Sequence, residues 1–300
     1  MKRLLLGLDI GSRMAKIVLM GLNKKNRKRT VRILDSHTTS IPPGSVVDGE
    51  IIDPVTVASV IKSCLQASRI RVRRAVLALN GSRVILKQLD FPPLSKVQIR
   101  QSLQWEIDRY TPYSAQDTEF NFISLKRTPK KHTILLAASP KRIVQALIST
   151  VELIRMRPLL IEPGILALFR WVQYRWPDQI DGLVLCDFGA SSADILIVAN
   201  KQPVMARTVV MDGDQDTIEQ GLFTQVKQSL DFASRQHCII PDSHLFCAGG
   251  GSKNSSFASK LAFDLGLKLL TREELGLPDP DMTLFGTGFG LGLGWWGGGV

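Results

Sequence analysis

The sequence predicts an α/β protein with two related halves and a small α+β insert in the first half. Strand-like and helix-like segments alternate along most of its 300 residues, and 44% of the residues are hydrophobic, which is enough for a large core. One short turn sequence occurs twice, as "DIGSRMAKI" at 9–17 and "DFGASSADI" at 187–195. Between the first strands and the later alternation, residues 40–138 have strands and helices of their own.

The first half begins with paired strands. "RLLLGLDI" and "AKIVLM" are apolar runs joined by a tight turn at Gly11 and Ser12, and "VRILDSHTTSI" continues as a third strand. We expect residues 1–39 and 139–180 to form this half, with a helix over "PKRIVQALISTVELI", a strand at "PLLIE" and a helix over "GILALFRWVQY".

The insert carries two clear helix starts. Asp53 followed by Pro54 is typical of a helix N-terminus, and Ser95 with Gln98 three residues later is the capping-box pattern. Four strand-like segments accompany these helices: "RAVLALN", "RVILKQLDF", "TEFNFISL" and "HTILLAAS". We therefore expect a compact α+β unit over 40–138.

The second half is expected over 181–300. "GLVLCDFGASSADILIVANKQPVMARTVV" predicts three strands, which a long helix over about 214–236 follows. The strand "HLFCAGG" then leads into a helix that begins at Ser252.

The repeated turn is the most informative feature. Asp9, Gly11, Ala15 and Ile17 each have an identical residue 178 positions later (187 − 9 for the aspartates). Each copy places a carboxylate at the end of a buried strand and a glycine that lets backbone N–H groups approach an anion. Two such hairpins facing each other would hold a phosphate chain from both sides. Asp9 and Asp187 would hold a divalent cation directly or through water, and Lys16 would add a positive charge.

A third element supports a nucleotide site. The strand "LFCA" runs directly into Gly249, Gly250 and Gly251, where a flat ring or a phosphate can approach the backbone. Other nucleotide motifs fit worse, because the chain has no G-x-x-x-x-G-K-[ST] and the glycines at 286–294 alternate without the G-x-G-x-x-G spacing.

Composition excludes several classes. The net charge of +11 comes largely from clusters at 23–32, 69–74 and 125–131. The first and third are typical of solvated hairpin turns, and no aromatic residues are interleaved to stack on bases, so no nucleic acid partner is expected. The few cysteines predict reduced thiols, and the spacing of His237, Cys238, His244 and Cys247 does not suit zinc. With no signal peptide or apolar span recognised, we expect a cytoplasmic protein.

These motifs carry a resemblance. "DIGSRMAK", "DFGASSADI" and "AGGG" resemble the two phosphate motifs and the adenosine motif of the actin-like (ribonuclease H-like) ATPase superfamily, which includes actin, Hsp70 chaperones, sugar kinases and the division protein FtsA. Nearly the whole chain is similar to the PilM family of type IV pilus assembly proteins. The segments that single out this family are "SLQWEIDRYTPY", "LLAASPKRIVQAL", "LLIEPGILALFR", "ARTVVMDGDQ" and "VKQSLDFASRQ".

The resemblance implies a cytoplasmic scaffold that binds ATP with Mg²⁺ in a central cleft. It also implies a grip on the cytoplasmic N-terminal peptide of a PilN-like inner-membrane protein, assembly into a ring, and indirect membrane contact. The residues that it assigns to the first phosphate loop are Asp9, Gly11, Ser12 and Lys16. Those of the second loop and the adenosine site are Asp187, Gly189, Ala190, Ser191, Gly249, Gly250 and Gly251.

Hydrolysis is expected to be slow or absent. Asp187 and Glu162 are the candidates for a catalytic role, Asp187 through a metal and Glu162 by positioning water, although a strand-end residue such as Glu162 is also typical of local hydrogen bonding. Two alternatives stay open: an active ATPase or phosphotransferase of the same superfamily, and an FtsA-like division protein. Trp105 and Tyr110 either pack the insert core or form a rim for a partner peptide.

The C-terminal sequence departs from the family. "LFGTGFGLGLGWWGGGV" has a glycine at nearly every second position, and each costs a helix about 1 kcal/mol. We therefore expect this segment to be unusual or poorly ordered rather than helical.

Overall fold

The structure is a computed structural model that describes residues 3–25, 28–177, 182–236, 243–250, 255–276 and 280–297. Its helices are α1 (Pro54–Ala67), α2 (Lys96–Glu106), α3 (Lys141–Leu153), α4 (Gly164–Arg175), α5 (Gln215–Gln236), α6 (Ser255–Asp264) and α7 (Gly286–Gly297). Its strands are β1 (Arg3–Ile10), β2 (Met14–Lys25), β3 (Lys28–Ser40), β4 (Val46–Val47), β5 (Glu50–Ile51), β6 (Arg74–Leu79), β7 (Ile85–Phe91), β8 (Thr118–Arg127), β9 (His132–Pro140), β10 (Arg157–Pro163), β11 (Leu183–Phe188), β12 (Ser192–Ala199), β13 (Gln202–Val210), β14 (His244–Ala248) and β15 (Lys268–Leu269).

Two five-stranded sheets have the same design. The first has the order β10-β6-β1-β2-β3 and the second the order β13-β12-β11-β14-β15. In each, the strand that precedes the repeated turn is antiparallel to the next strand and parallel to a later one, β6 for β1 and β14 for β11. The prediction of two related halves is confirmed.

The predicted boundary of the insert at residue 40 is wrong. β6 lies between β1 and β10 in the first sheet, and α1 packs beside α3 and β3. All residues of β6 after Arg74 are buried, as in a central parallel strand, so its position in the chain beside the insert strands was misleading. The separate unit is the sheet β7-β9-β8 with helix α2.

The insert has its own small core. Ser95 caps α2 through the predicted capping box with Gln98, which fixes where the helix begins. Ile99 and Leu103 of α2 are then buried against the sheet, where they meet Leu136 of β9. On the second half, Gln202 donates a hydrogen bond of 2.9 Å to the Leu125 carbonyl, so the insert contacts both halves.

The glycine-rich C-terminal segment is a helix, contrary to expectation. α7 lies between the first sheet and α4, and its glycines let both approach closely. A Cβ at Gly288 would lie 2.6 Å from Val18, and one at Gly290 would lie 1.8 Å from the Ala167 carbonyl oxygen. Burial on two sides therefore outweighs the low helix propensity of glycine.

The central core spans both halves. It contains residues of the first sheet such as Leu5 and Val18, residues of the second sheet such as Leu185 and Phe246, and side chains of α4 and α7. The two helices therefore form the packed region between the sheets, on which the two repeated turns depend for their relative position.

Candidate functional site

The two repeated turns face each other across a cleft. The Ser12 and Ser191 hydroxyl oxygens lie 3.1 Å apart, within hydrogen-bond distance, although the residues are far apart in the chain. A cavity of about 70 Å³ lies at this junction. Its lining includes every predicted phosphate-loop residue: Asp9, Gly11, Ser12, Lys16, Asp187, Gly189, Ala190 and Ser191.

The two turns have the same backbone geometry. The Gly11 N–H donates to the Met14 carbonyl at 3.0 Å, and the Gly189 N–H donates to the Ser192 carbonyl at 2.8 Å. A Cβ at Gly189 would lie 2.8 Å from that Ser192 oxygen, so the tight turn requires glycine. The sequence repeat is therefore a structural repeat.

The charges on the two hairpins differ. In the first hairpin, Asp9 lies directly opposite Lys16, and the two side chains form an ion pair of 2.9 Å. Burial alone would lower the pKa of Lys16, but attraction to Asp9 and to Asp187 outweighs it and keeps the pKa above its usual range. Lys16 therefore serves both hairpins as a cation.

In the second hairpin the residue opposite Asp187 is Asp194, a like charge. Burial raises the pKa of Asp194 to about 7, with a smaller contribution from Asp187, while a hydrogen bond from Thr208 opposes the rise. Burial also raises the pKa of Asp187, which Lys16 counteracts. This side of the cleft can therefore hold a proton or accept a cation.

Asn80 is a cleft residue that sequence reasoning missed. Its side-chain amide donates to Asp9 Oδ1 at 2.7 Å, so Asp9 is held by Lys16 on one oxygen and by Asn80 on the other. The amide oxygen of Asn80 lies against Gly164, where a Cβ would lie 2.2 Å away. A polar residue directly after the buried strand β6 was the available signal.

Asp194 and Thr287 were also missed. Asp194 occupies the position equivalent to Lys16 in the repeat, so the alignment at an offset of 178 could have identified it. Thr287, near the start of α7, makes a side-chain hydrogen bond with Asp187 and is buried. No local signal points to Thr287, because its contact depends on how α7 packs.

Glu162 does not lie in the cleft. Its two carboxylate oxygens accept hydrogen bonds of 2.7 and 2.9 Å from Arg170, which also donates to the Gly290 carbonyl. Glu162 is therefore held in a partly buried ion pair beside α7. The interpretation as a strand-end residue with local hydrogen bonds fits, and the proposed role in positioning water does not.

The predicted adenosine motif lies beside the second turn. Gly249 has a φ of +84°, and a Cβ there would lie 2.4 Å from an Asp187 carboxylate oxygen. Gly250 follows it, whereas Gly251 lies outside the described residues. A larger cavity of about 340 Å³ lies between α5 and α6, with the apolar side chains of Phe223, Phe257 and Leu261 among its lining.

Of the four His and Cys residues between 237 and 247, the structure describes only His244 and Cys247. His237 and Cys238 lie outside the described residues, and the ring of His244 packs edge-on against Trp176 at 4.9 Å. Within the described residues, no cluster of three or more His, Cys, Asp or Glu side chains is arranged to hold a metal ion. No helix in the described part of the chain is long and apolar enough to cross a bilayer.

The chain matches one protein family and resembles several solved structures. Residues 7–237 match the profile of a family described as type IV pilus assembly protein PilM. A solved structure, the PilM-PilN type IV pilus biogenesis complex, contains a chain with 21% identity and a TM-score of 0.81, over 97% of this chain and 98% of that chain.

Two further structures share the fold at lower similarity. A Bacteroides thetaiotaomicron protein with an actin-like ATPase fold has 9% identity and a TM-score of 0.53, over 95% of each chain. MreB 5 of Spiroplasma citri bound to AMPPNP has 10% identity and a TM-score of 0.51, over 97% of this chain and 96% of that chain. The actin-like fold predicted from the repeated turns is confirmed.

Proposed function

The chain belongs to the type IV pilus assembly protein PilM family, and from that premise we propose that it is an ATP-binding cytoplasmic scaffold of a pilus assembly platform. Its partner is the cytoplasmic N-terminal peptide of a PilN-like inner-membrane protein, through which it stays peripheral to that membrane. The similarity to a chain of the PilM-PilN type IV pilus biogenesis complex supports this choice of partner. Ring assembly around the pilus base is part of the same proposal.

The observation that carries the proposal is the junction of the two turns at Ser12 and Ser191. Two glycine turns from different halves meet at one small cavity, which Asp9, Lys16 and Asp187 line. A triphosphate that lies between the turns would contact both halves at once. ATP binding would therefore change the relation between the halves rather than one half alone.

The side chains present fit a magnesium nucleotide. Asp9 and Asp187 supply oxygen ligands of the kind Mg²⁺ prefers, and phosphate oxygens and water would complete its coordination. Ser12 and Ser191 supply hydroxyls, and Gly249 leaves the space beside Asp187 that a Cβ would fill. Bound Mg²⁺ would neutralise phosphate charge, while Lys16 would neutralise it from the first hairpin.

The cavity between α5 and α6 suits the adenine ring. Phe257 stacks edge-on against Phe188 at 5.7 Å, and Phe188 directly precedes the Gly189 turn. An adenine in the 340 Å³ cavity would therefore rest on Phe223, Phe257 and Leu261 and leave the phosphates to reach the turns. Polar groups at the same cavity come from Gln220, Lys260 and the carboxylates of Asp216, Glu219 and Asp264.

Two contacts connect the cleft to the insert. Asn80 holds Asp9 and lies shortly before β7, the first strand of the insert sheet, while Gln202 of the second half donates to Leu125 of the insert. Movement of either half would therefore be transmitted to the insert and would change how tightly it binds a partner peptide.

Asp187 is the remaining candidate for a catalytic role, and slow or absent hydrolysis suits a scaffold.

Isothermal titration with MgATP tests the proposal. Lys16→Met and Asp187→Asn should each weaken binding at least tenfold, because each removes a charged group that faces the phosphates or the metal. Lys62→Met, an exposed lysine on α1, is the control and should bind like the wild type. Unchanged affinity in both cleft variants would refute the site, and a PilN-like N-terminal peptide that fails to bind with or without ATP would refute the scaffold.

A further inference from the structure

The insert exposes apolar side chains on the outer face of α2. Trp105 is 85% exposed and Val97 is 66% exposed, and their spacing of eight residues places them on one side of the helix. The interpretation that Trp105 packs the insert core is therefore wrong, whereas Tyr110 does pack against that core. The buried residues Ile99 and Leu103 account for the opposite side of α2.

Basic side chains lie near the N-terminal end of α2. His132 Nδ1 lies 2.9 Å from the Leu94 carbonyl, which fixes the β8–β9 turn beside the start of the helix. Arg100 of α2 is held by the insert itself, because its guanidinium donates to Asn121 and lies over the Phe120 and Phe122 rings. The end of β8 and the turn that follows it carry four exposed basic side chains: Lys126, Arg127, Lys130 and Lys131. The nearby carboxylate of Asp90 is paired with Lys131 at 2.7 Å.

We propose that this insert face, formed by Val97, Trp105 and the basic side chains at the β8–β9 turn, docks on an anionic phospholipid bilayer surface. Its positive charge complements phosphate headgroups, and each basic side chain near such a surface adds to binding. Tryptophan prefers the interface between headgroups and acyl chains, and an exposed valine can enter it beside Trp105.

The exposed apolar side chains favour a bilayer over other acidic partners. Trp105, at 85% exposure, and Val97, at 66% exposure, can enter the apolar part of a bilayer interface, which a purely acidic peptide does not offer. This contact does not depend on nucleotide binding, and the insert makes it directly rather than through a partner protein. It would orient the scaffold on the membrane.

Vesicle co-sedimentation tests this docking face. The full chain should bind phosphatidylcholine vesicles that contain about a third phosphatidylglycerol, and should bind pure phosphatidylcholine vesicles much more weakly. The double variant K126E/K130E should bind the anionic vesicles at least tenfold more weakly, and Trp105→Ser several-fold more weakly. The double variant K62E/R71E changes the net charge equally at exposed positions away from this face and should bind like the wild type.

Fluorescence quenching tests whether Trp105 enters the bilayer. Vesicles with brominated acyl chains should quench part of the tryptophan emission of the wild type, and Trp105→Phe should lose that quenching while it keeps its fold.

The co-sedimentation experiment can overturn the proposal. Equal loss of binding in both double variants would show a general charge effect and overturn the proposal. Failure to bind anionic vesicles, or binding to polyglutamate in their place, would also overturn it, and neither result bears on ATP affinity.

Discussion

The two hairpins of the cleft share a backbone and differ in what surrounds them. Each has an aspartate near the end of its first strand and a glycine whose N–H donates to the carbonyl three residues later, Met14 in one and Ser192 in the other. Opposite the aspartate, however, stands Lys16 in the first hairpin and Asp194 in the second. The repeat therefore preserves the anion-holding turn, while the ionisable groups have diverged.

The difference extends into the strands behind the turns. Position 7 of β1 is glycine, and its counterpart 178 residues later is Leu185, a core residue. The cause is α7, whose Gly288 carbonyl oxygen would lie 2.2 Å from a Cβ at Gly7. Equivalent strands therefore pack against different elements. The residue type at each position is set by the element packed against it and not by the sequence repeat.

Gly7→Leu should give the largest effect. The added side chain would collide with the backbone of α7, so the free energy of unfolding should fall by more than about 3 kcal/mol. Urea unfolding followed by circular dichroism measures this change. Gly221→Leu is the control, because a Cβ at Gly221 of α5 meets no atom within 4 Å and leucine favours a helix. A Gly7 variant as stable as the wild type would show that α7 does not pack there.

Lys16→Met should cause the next largest decrease in the free energy of unfolding. Without the cation, the buried carboxylate of Asp9 loses its ion pair and faces Asp187, which should reduce the free energy of unfolding by about 2–3 kcal/mol without ligand. The double variant Lys16→Met/Asp9→Asn should recover part of that loss in a double-mutant cycle. Additive effects of the two substitutions would show that the pair is not coupled.

The pH dependence of the second hairpin is the smallest predicted effect. The Asp194 pKa of about 7 lies above that of an unfolded chain, so the folded state holds a proton that the unfolded state releases between about pH 4 and 7. The stability contribution of this group is then present at low pH and is lost as pH rises, by at most about 1.4 kcal/mol for each pH unit. Asp194→Asn should flatten this slope in urea titrations, whereas Asp108→Asn, at an exposed position just after α2, should not. Identical slopes in wild type and Asp194→Asn would contradict the assignment.

Local sequence signals predicted the elements well. Capping residues at Asp53 and Ser95 fixed the starts of α1 and α2, and the alternating apolar runs identified the strands on both sides of each turn. The repeat at 178 residues identified the turn residues of both halves, because a tight turn imposes the same requirements wherever it occurs. The sequence by itself thus determined the elements, the duplicated turns and the cleft residues that lie within them.

Only the tertiary structure decided which strand joins which sheet and what each charged group meets. β6 joined the first sheet, Asn80 reached Asp9, and Glu162 paired with Arg170, all through contacts between residues distant in the chain. The glycine-rich segment forms helix α7 because the first sheet and α4 bury it on two sides, although glycine has a low intrinsic helix propensity. Propensity and turn chemistry act over a few residues, whereas burial and charge partners depend on packing that brings distant segments together.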